Sequence, residues 1–294
     1  MALLPSRTRR RLALSAVLGT LLPAAGCSPV VPLNALARTD TYRTSPDVAY
    51  GALPRQRLDV FTPRSTAPAH GWPLVVFFYG GSWTSGGRAG YRFVGEALAS
   101  RGILTLVADY RLYPQVRYPE FLVDSATALA WGLEHAAALG ADPRRVFVMG
   151  HSAGGYNAAM LALDPRWLAA TGHRPEELAG WVGLAGPYEF FPLGADSPAR
   201  PVFFHPDYPP RSQPIEHAGA SRTKAYLAAS MRDRVVNPQR STLALAAKLR
   251  AAGGSVELKM YEGLGHSLLI GAFARPLRGL APVLDDVSAW IVGG

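Results

Sequence analysis

The sequence predicts a doubly wound α/β fold built on a mostly parallel sheet of eight strands. With 294 residues, 49% of them hydrophobic, the chain is long enough to bury one large core. The apolar runs at residues 74–78 and 103–108 are continuous, which is typical of strands buried on both faces of a parallel sheet. Strand patterns then alternate with helical patterns, so we expect one main domain with its functional site at the carboxyl ends of the strands.

The elements follow one another in a regular order. Residues 48–50 and 57–61 alternate in polarity on either side of a turn with glycine and proline, which predicts two antiparallel strands. Six further strand candidates lie at residues 74–78, 103–108, 146–149, 181–185, 225–229 and 256–260. Apolar residues at helical spacing predict helices over residues 91–100, 119–139, 155–162, 238–252 and 281–291.

Residues 187–221 interrupt this alternation. The segment has no helical period and contains several prolines and a set of aromatic residues, namely Phe190, Phe191, Phe203, Phe204 and Tyr208. We interpret it as a small lid or as the wall of an acyl pocket. Padding of the hydrophobic core is the alternative role for these aromatic side chains.

The first 26 residues have the pattern of an export signal. Four arginines within residues 7–11 precede an apolar stretch over residues 12–25, which is short for a membrane-spanning helix. Residues 22–27 resemble a bacterial lipobox that ends at Cys27, the only cysteine of the chain. A single thiol forms no internal disulfide, so lipid attachment explains Cys27 better than a structural bridge does. A plain cleaved signal peptide with an incidental cysteine is the alternative.

This pattern divides the chain into three parts. Residues 1–26 are expected to be the export signal, residues 27–46 a flexible tether rich in Pro, Ser, Thr and Arg, and residues 47–294 the folded domain. The protein would then be exported and held at a membrane of the cell envelope by its lipid. A faint twin-arginine pattern at residues 8–12 leaves the export route open.

The charge of the chain argues against a nucleic-acid partner. The formal net charge is +9, and it falls to +5 when the four arginines before Cys27 are removed with the signal. The remaining basic residues are scattered and form no stripe interleaved with aromatic residues.

The pentapeptide Gly150-His151-Ser152-Ala153-Gly154 lies between a strand pattern and a helix pattern. That context is the one a nucleophile elbow requires, because a serine hydroxyl must project from a sharp turn toward a base. Glycines on either side permit the turn, and the following helix directs free N–H groups toward a developing oxyanion. We therefore predict Ser152 as a nucleophile, and an ordinary strand-to-helix turn is the alternative.

Two later residues supply the partners that such a serine needs. Asp233 follows the strand candidate at residues 225–229, and His266 follows the one at 256–260, so the order along the chain is Ser, Asp, His. We predict His266 as the base and Asp233 as the carboxylate that orients it. A surface ion pair with a neighbouring arginine is the alternative role for Asp233.

The loop after the strand at residues 74–78 is the candidate source of oxyanion donors. It reads Tyr79-Gly80-Gly81-Ser82-Trp83, and its two glycines allow the backbone to approach a substrate closely. We predict the backbone N–H groups of Gly81, Ser82 and Ala153 as the donors, and a simple glycine turn is the alternative.

Taken together, these motifs resemble the α/β-hydrolase superfamily, and more narrowly the bacterial carboxylesterases related to hormone-sensitive lipase, feruloyl esterases and arylformamidases. The similarity extends over about residues 48–292 and rests on motifs in a fixed order: Tyr50-Gly51, Gln56-Arg57-Leu58-Asp59-Val60, Gly80-Gly81-Ser82-Trp83, Asp109-Tyr110-Arg111-Leu112, the serine pentapeptide, Gly186-Pro187-Tyr188, Asp233 and Gly265-His266. Relatives commonly begin the oxyanion loop with His, where this chain has Tyr79, and commonly carry Gly before the acid, where it has residues 230–232.

The resemblance implies a carboxylic-ester hydrolase that works through an acyl-enzyme, with neither a metal nor an organic cofactor. Short-chain or aromatic esters are the expected small-molecule substrates. Amide hydrolysis, as in arylformamidases, is the first alternative. A non-catalytic surface lipoprotein that uses the fold for binding is the second.

Overall fold

The computed structural model describes residues 33, 34 and 37–293, and one eight-stranded sheet runs through them. The strands are β1 (Tyr42–Ala49), β2 (Arg57–Pro63), β3 (Trp72–Phe78), β4 (Leu104–Ala108), β5 (Ala141–His151), β6 (Gly180–Leu184), β7 (Ala225–Ala229) and β8 (Val256–Met260). Their order across the sheet is β1-β2-β4-β3-β5-β6-β7-β8. β1 pairs with β2, and β2 with β4, in antiparallel fashion, and all later pairs are parallel. The predicted eight-stranded, mostly parallel α/β sheet is confirmed.

Seven α-helices accompany these strands within the described residues, and the last two follow β8. They are α1 (Arg92–Ala99), α2 (Glu120–His135), α3 (Ala153–Leu163), α4 (Pro165–Ala169), α5 (Ala244–Ala251), α6 (His266–Gly271) and α7 (Val283–Gly293). One turn of π-helix, Gln239–Leu243, leads into α5, so the helix predicted over residues 238–252 begins with a wider turn than expected. The helix predicted over residues 119–139 ends at His135, and α4 and α6 were not predicted because each is only five or six residues long.

The strands of the central sheet have the burial that their apolar sequences predict. Every residue of β4, β6 and β7 is buried, which follows from helices covering a parallel sheet. By contrast β8, at the edge, is mostly half-exposed. The middle of the sheet is therefore fully covered, and the loops that carry the motifs start from it.

The predicted tether over residues 27–46 is wrong at its carboxyl end, because β1 begins at Tyr42. The ring of Tyr42 is buried against Phe61 with 5.1 Å between ring centroids, and its hydroxyl accepts a hydrogen bond from Arg92 Nε at 3.0 Å. Earlier in the segment, Asn34 Oδ1 accepts from the backbone N–H of Phe93 at 3.1 Å. The polar composition of the segment concealed a strand that is anchored by one buried residue, Tyr42, so the folded domain begins before residue 47.

Two of the predictions fall on residues that the structure does not describe. The export signal over residues 1–26 and Cys27 both lie outside the described residues. Within residues 33, 34 and 37–293, no helix is long and apolar enough to cross a membrane.

The aromatic segment at residues 187–221 contains a single short 3-10 turn, Pro214–His217, and otherwise irregular backbone. Phe203 is fully buried, and its ring contacts the ring of Trp83 edge-on at 4.9 Å. Phe190 lies beside the same indole at 6.1 Å. Some aromatic side chains of the segment at residues 187–221 therefore complete the core, whereas others are available to line a cavity.

The topology gathers the predicted motifs at one edge of the sheet. The loop Gly80–Ser82 follows β3, Ser152 follows β5, Asp233 follows β7 and His266 follows β8. Because these four strands are parallel, all four motifs emerge at the carboxyl edge.

Candidate active site

Ser152 occupies a strained turn between β5 and α3. Its backbone has φ 55° and ψ −123°, a conformation that side chains other than glycine rarely adopt. The turn is closed by neighbouring backbone: a Cβ on Gly150 would lie 2.0 Å from the Gly154 carbonyl oxygen, and a Cβ on Gly154 would lie 2.0 Å from that of Phe78. Both glycines are therefore required by close approach, and the turn presents the serine at the head of a helix.

The structure brings the three predicted side chains into one hydrogen-bonded chain. His266 Nε2 lies 2.8 Å from Ser152 Oγ, and His266 Nδ1 lies 2.7 Å from Asp233 Oδ2. His266 is the first residue of α6, whereas the sequence predicted a loop there. With Nδ1–H donating to the carboxylate, Nε2 is left to accept the serine proton, as a general base requires.

Asp233 is held in its carboxylate form by its surroundings. Burial raises its pKa, but the hydrogen bond and charge of His266, together with the backbone N–H groups of Val236 and Val235, lower the pKa below its ordinary value. Those N–H groups donate to Oδ1 at 2.9 and 2.8 Å, so each carboxylate oxygen has its own donors. Asp233 pairs with the imidazole, and its flanking residues Arg232 and Arg234 extend into solvent.

The loop after β3 has the unusual backbone that its glycines suggested. Gly81 has φ 131°, and Ser82 and Trp83 follow with φ 52° and 57°. The carbonyl of Gly81 accepts from the N–H groups of Thr84 and Ser85 at 3.0 and 3.1 Å, which closes the loop on itself.

Ser82, Ala153 and Ser152 line one cavity, and Gly81 directly precedes Ser82 in the chain. The assignment of the N–H groups of Gly81, Ser82 and Ala153 to an oxyanion stays a prediction.

Tyr79, which stands where relatives have His, anchors this loop from behind. Its hydroxyl donates to Asp109 Oδ1 at 2.7 Å and accepts from Arg55 Nη2 at 3.0 Å. Burial and the charge of Asp109 raise the pKa of Tyr79 well above its ordinary value, so the phenol keeps its proton. Arg88 forms a further ion pair with Asp109, and the start of the loop is thereby fixed to β4.

The cavity beside Ser152 has a volume of about 400 Å³ and is apolar for most of its surface. Trp83, Phe190 and Leu193 contribute its walls, and Phe190 and Leu193 come from the aromatic segment at residues 187–221. Part of its lining is polar: Arg240 lies 3.5 Å from Glu189 and also donates to the carbonyl of Phe191 at 2.6 Å. Sequence reasoning missed Arg240 and Glu189, because no motif or strand end marks either residue.

A larger surface depression, of about 860 Å³, lies elsewhere, at residues such as Arg144, Arg145 and His173. It contains none of Ser152, Asp233 and His266, so its size does not bear on the chemistry. Within the described part of the chain, no group of three or more His, Cys, Asp or Glu side chains is arranged to hold a metal ion.

Comparison with known families agrees with this geometry. The model of the prolyl oligopeptidase family matches residues 128–284, which is more than half of the chain and includes all three hydrogen-bonded side chains. The chain belongs to the prolyl oligopeptidase family, within the α/β-hydrolases. A second model, BD-FAE, matches residues 58–183, which include the loop after β3 and the serine turn.

The curated proteins to which this chain is similar include several that are named esterases. Esterase LipC of Mycobacterium tuberculosis is 31% identical over 262 residues, covering 82% of this chain and 64% of LipC. The probable isoprenylcysteine alpha-carbonyl methylesterase ICMEL1 of Arabidopsis thaliana is 26% identical, covering 84% of this chain and 55% of the plant protein. The chain thus spans between about half and two thirds of the length of these relatives.

Solved structures share the fold at lower sequence identity. Esterase Est2 of Thermogutta terrifontis, bound to propionate, superimposes with a TM-score of 0.69 at 24% identity, covering 86% of this chain and 94% of Est2. A truncated carbohydrate esterase from gut microbiota gives a TM-score of 0.70 at 17% identity, covering 87% of this chain and 98% of the esterase. Both extend over nearly the whole folded domain.

The link between His266 and Asp233 predicts how the carboxyl group titrates. Replacement His266→Leu removes the ring's hydrogen bond and charge while leaving the site buried, so the pKa of Asp233 should rise. A carboxylate with a lowered pKa stabilises the fold above its unfolded-state pKa, and that stabilisation is lost as the pH falls through the folded-state value. In the variant this stabilisation should be smaller, and its loss should be complete at a higher pH.

Carbon-13 NMR titration of the aspartate carboxyls measures this directly. The control is His173→Leu, because His173 pairs with Glu177 and Glu134 and not with Asp233. If Asp233 titrates identically in His266→Leu and in the unaltered protein, then His266 does not control the charge of this carboxylate.

Proposed function

We propose that this protein is a serine carboxylesterase that hydrolyses short-chain or aromatic esters through an acyl-enzyme. One observation carries the proposal: Ser152, His266 and Asp233 form a continuous hydrogen-bonded chain that opens into a largely apolar cavity. An oriented, partly buried base next to a serine on a strained turn is the arrangement that makes a hydroxyl nucleophilic. Esterase names among the curated relatives support ester bonds as the target.

The reaction follows from the positions of these groups. Ser152 Oγ attacks the ester carbonyl carbon while His266 Nε2 takes the hydroxyl proton, and Asp233 stabilises the imidazolium that results. The carbonyl oxygen gains negative charge, which the N–H groups of Gly81, Ser82 and Ala153 bind. The C–O bond to the alcohol then breaks, and the alcohol leaves with the proton from His266.

Water completes the cycle. His266 removes a proton from a water molecule, whose oxygen attacks the acyl carbon. The bond to Ser152 Oγ breaks, the serine regains its proton from His266, and the carboxylic acid is released.

The size and lining of the cavity support small acyl groups. A volume of about 400 Å³ lies toward the small end of ligand pockets. The rings of Trp83 and Phe190 offer an aromatic surface on which either a short alkyl chain or a flat acyl group can pack.

Amide hydrolysis is the second candidate, and the family match favours its consideration, because the matched family is named for an oligopeptidase. An amide makes the same demands on the serine, the base and the oxyanion donors. It differs in its leaving group, which His266 must protonate before the bond breaks. Rates on a nitrophenyl ester and on the nitroanilide of the same acid distinguish the two.

We also propose that the protein is exported and attached to a membrane through lipid on Cys27. The basic and apolar residues before Cys27 and its position as the only thiol support this. An ester hydrolase in that location would meet substrates outside the cytoplasm.

Replacing the nucleophile tests the proposed reaction. Ser152→Ala should lower kcat for p-nitrophenyl acetate by at least about 10³-fold, since the acyl-enzyme no longer forms. The matched control is Ser65→Ala, an exposed serine outside the cavity, and it should retain full activity. A fluorophosphonate probe should label the unaltered protein at Ser152; equal esterase rates in Ser152→Ala and the unaltered protein would refute the proposal.

The oxyanion loop can be tested with two glycines of the same loop. Gly81 has φ 131°, and a Cβ there would lie 2.2 Å from the Ser85 carbonyl oxygen, so Gly81→Ala must shift the N–H groups. We expect kcat to fall by about 10²-fold. Gly87 has extended backbone and no atom closer than 3.7 Å to its added Cβ, so Gly87→Ala should change kcat by less than about twofold. Circular dichroism establishes that both variants fold, and equal kcat values would argue against an oxyanion role for the loop.

A series of p-nitrophenyl esters tests the acyl preference. We expect kcat/KM to be highest for short and aromatic acyl groups and to fall for chains longer than about eight carbons, which exceed the cavity. Leu193→Ala enlarges the cavity and should shift the optimum toward longer chains, whereas Leu53→Ala, exposed and outside the cavity, should not. Preference for long chains in the unaltered protein would contradict the assignment.

Expression in a bacterial host with a clickable fatty acid tests the proposed anchor. The unaltered chain should incorporate the label and sediment with membranes. Cys27→Ser should lose both the label and the membrane association. An exported protein that carries an unmodified Cys27 would instead support the plain signal peptide.

A further inference from the structure

His151 occupies the position before the nucleophile and contacts the base from the other side. It is buried, and its Nε2 lies 3.1 Å from the backbone carbonyl oxygen of His266. The two imidazole rings are 4.9 Å apart between centroids and inclined at 43°. The reaction proposed above gives no role to His151.

The contact determines where the proton of His151 lies. A carbonyl oxygen only accepts hydrogen bonds, so Nε2 must carry the proton and Nδ1 must be a bare acceptor. Nδ1 is buried and has no hydrogen-bond partner among the described residues. It faces Gly80, where an added Cβ would lie only 3.3 Å away, so glycine at position 80 leaves room for the ring.

His151 also stays neutral beside the base. Burial and the charge of His266 lower the pKa of His151 to about 3. At neutral pH the ring therefore donates a hydrogen bond without bringing a positive charge next to the imidazolium that forms on His266.

The segment that carries His266 needs such a restraint. Gly263 and Gly265 precede it, an added Cβ at either would meet nothing within 4 Å, and Gly263 has a positive φ of 81°. The side chain of His266 is held by Ser152 and Asp233, and its backbone starts α6 directly after these glycines, so the side-chain bonds do not by themselves fix where the helix begins. The bond from His151 is made to the backbone itself, directly from the turn that carries the nucleophile.

We infer that His151 is a positioning residue, which ties the backbone of His266 to the nucleophile turn and so keeps Nε2 within reach of Ser152 Oγ. The inference rests on the proposed function. It assigns a role to the variable position of the Gly-x-Ser-x-Gly motif. If the ring of His151 only filled space, it would still stabilise the fold. It would not affect the position of His266 Nε2 relative to Ser152 Oγ.

Two substitutions separate these roles. His151→Leu fills similar space without a donor, whereas His151→Gln keeps an N–H at a similar distance from the backbone. We expect His151→Leu to lower kcat for p-nitrophenyl acetate by about 10-fold to 100-fold with little change in KM, because a displacement of about 1 Å at the base affects the chemical step. His151→Gln should restore kcat to within about threefold of the unaltered value.

A proton NMR signal gives a readout that does not depend on turnover. The proton between His266 Nδ1 and Asp233 should give a far-downfield resonance, which His151→Leu should shift or broaden and His151→Gln should preserve. If His151→Leu does not fold, His151→Asn replaces it, because the shorter amide does not reach the His266 carbonyl and should produce the same losses.

A folded His151→Leu or His151→Asn variant with unchanged kcat and an unchanged resonance would overturn the inference. Equal activity in His151→Leu and His151→Gln, both reduced, would do the same, since the donor would then be irrelevant. Failure of the proposed function is separately visible: Ser152→Ala would retain activity, while the NMR comparison would still report on the link between His151 and His266.

Discussion

The site depends on the close approach of three backbone segments at the carboxyl end of β5. The Phe78 carbonyl oxygen would lie 2.0 Å from a Cβ at position 154, and the backbone N–H of Ser152 donates to the carbonyl of Leu184 at 2.9 Å. The serine turn therefore packs between the carboxyl ends of β3 and β6. A side chain at Gly150 or Gly154 would separate these segments, and Ser152 would lose its fixed position relative to the loop after β3.

Parallel register extends this constraint to the other groups of the site. Phe78 pairs with Gly150 across β3 and β5, and Ala229 pairs with Met260 across β7 and β8. Each of these strands thus ends at the same level as its neighbour, and the loops leave the sheet side by side. Ser152, Asp233 and His266 follow these strands at separations of 81 and 33 residues along the chain. They lie within hydrogen-bonding distance because the strands end side by side.

The sequence predicted the parts of this arrangement that depend on local pattern. Continuous apolar runs revealed the buried strands, and the loops that follow them revealed Ser152, Asp233 and His266. Prediction from the sequence failed where the local composition suggests one structure and tertiary packing imposes another. Residues 42–46 are polar, yet Tyr42 inserts into the core and carries a strand with it. Arg240 and Glu189 meet because the irregular segment at 187–221 lines the same cavity as Ser152, and no periodicity in the sequence encodes that contact.

The residues around Asp233 show why a charge-rich motif is hard to interpret without the fold. In Arg232-Asp233-Arg234 the two neighbouring cations suggest a surface ion pair. Asp233 is buried, however, and its carboxylate pairs with His266 instead. The carboxylate is turned inward, where three donors replace water, namely His266 Nδ1 and the backbone N–H groups of Val235 and Val236.

 Oδ2 of Asp233 accepts the hydrogen bond from the imidazole, and Oδ1 accepts the two backbone hydrogen bonds. A carboxylate satisfied in this way stays ionised although it is buried. In the proposed reaction it stabilises a positive charge on His266, and the neutral ring of His151 adds no opposing charge on the other side of that ring.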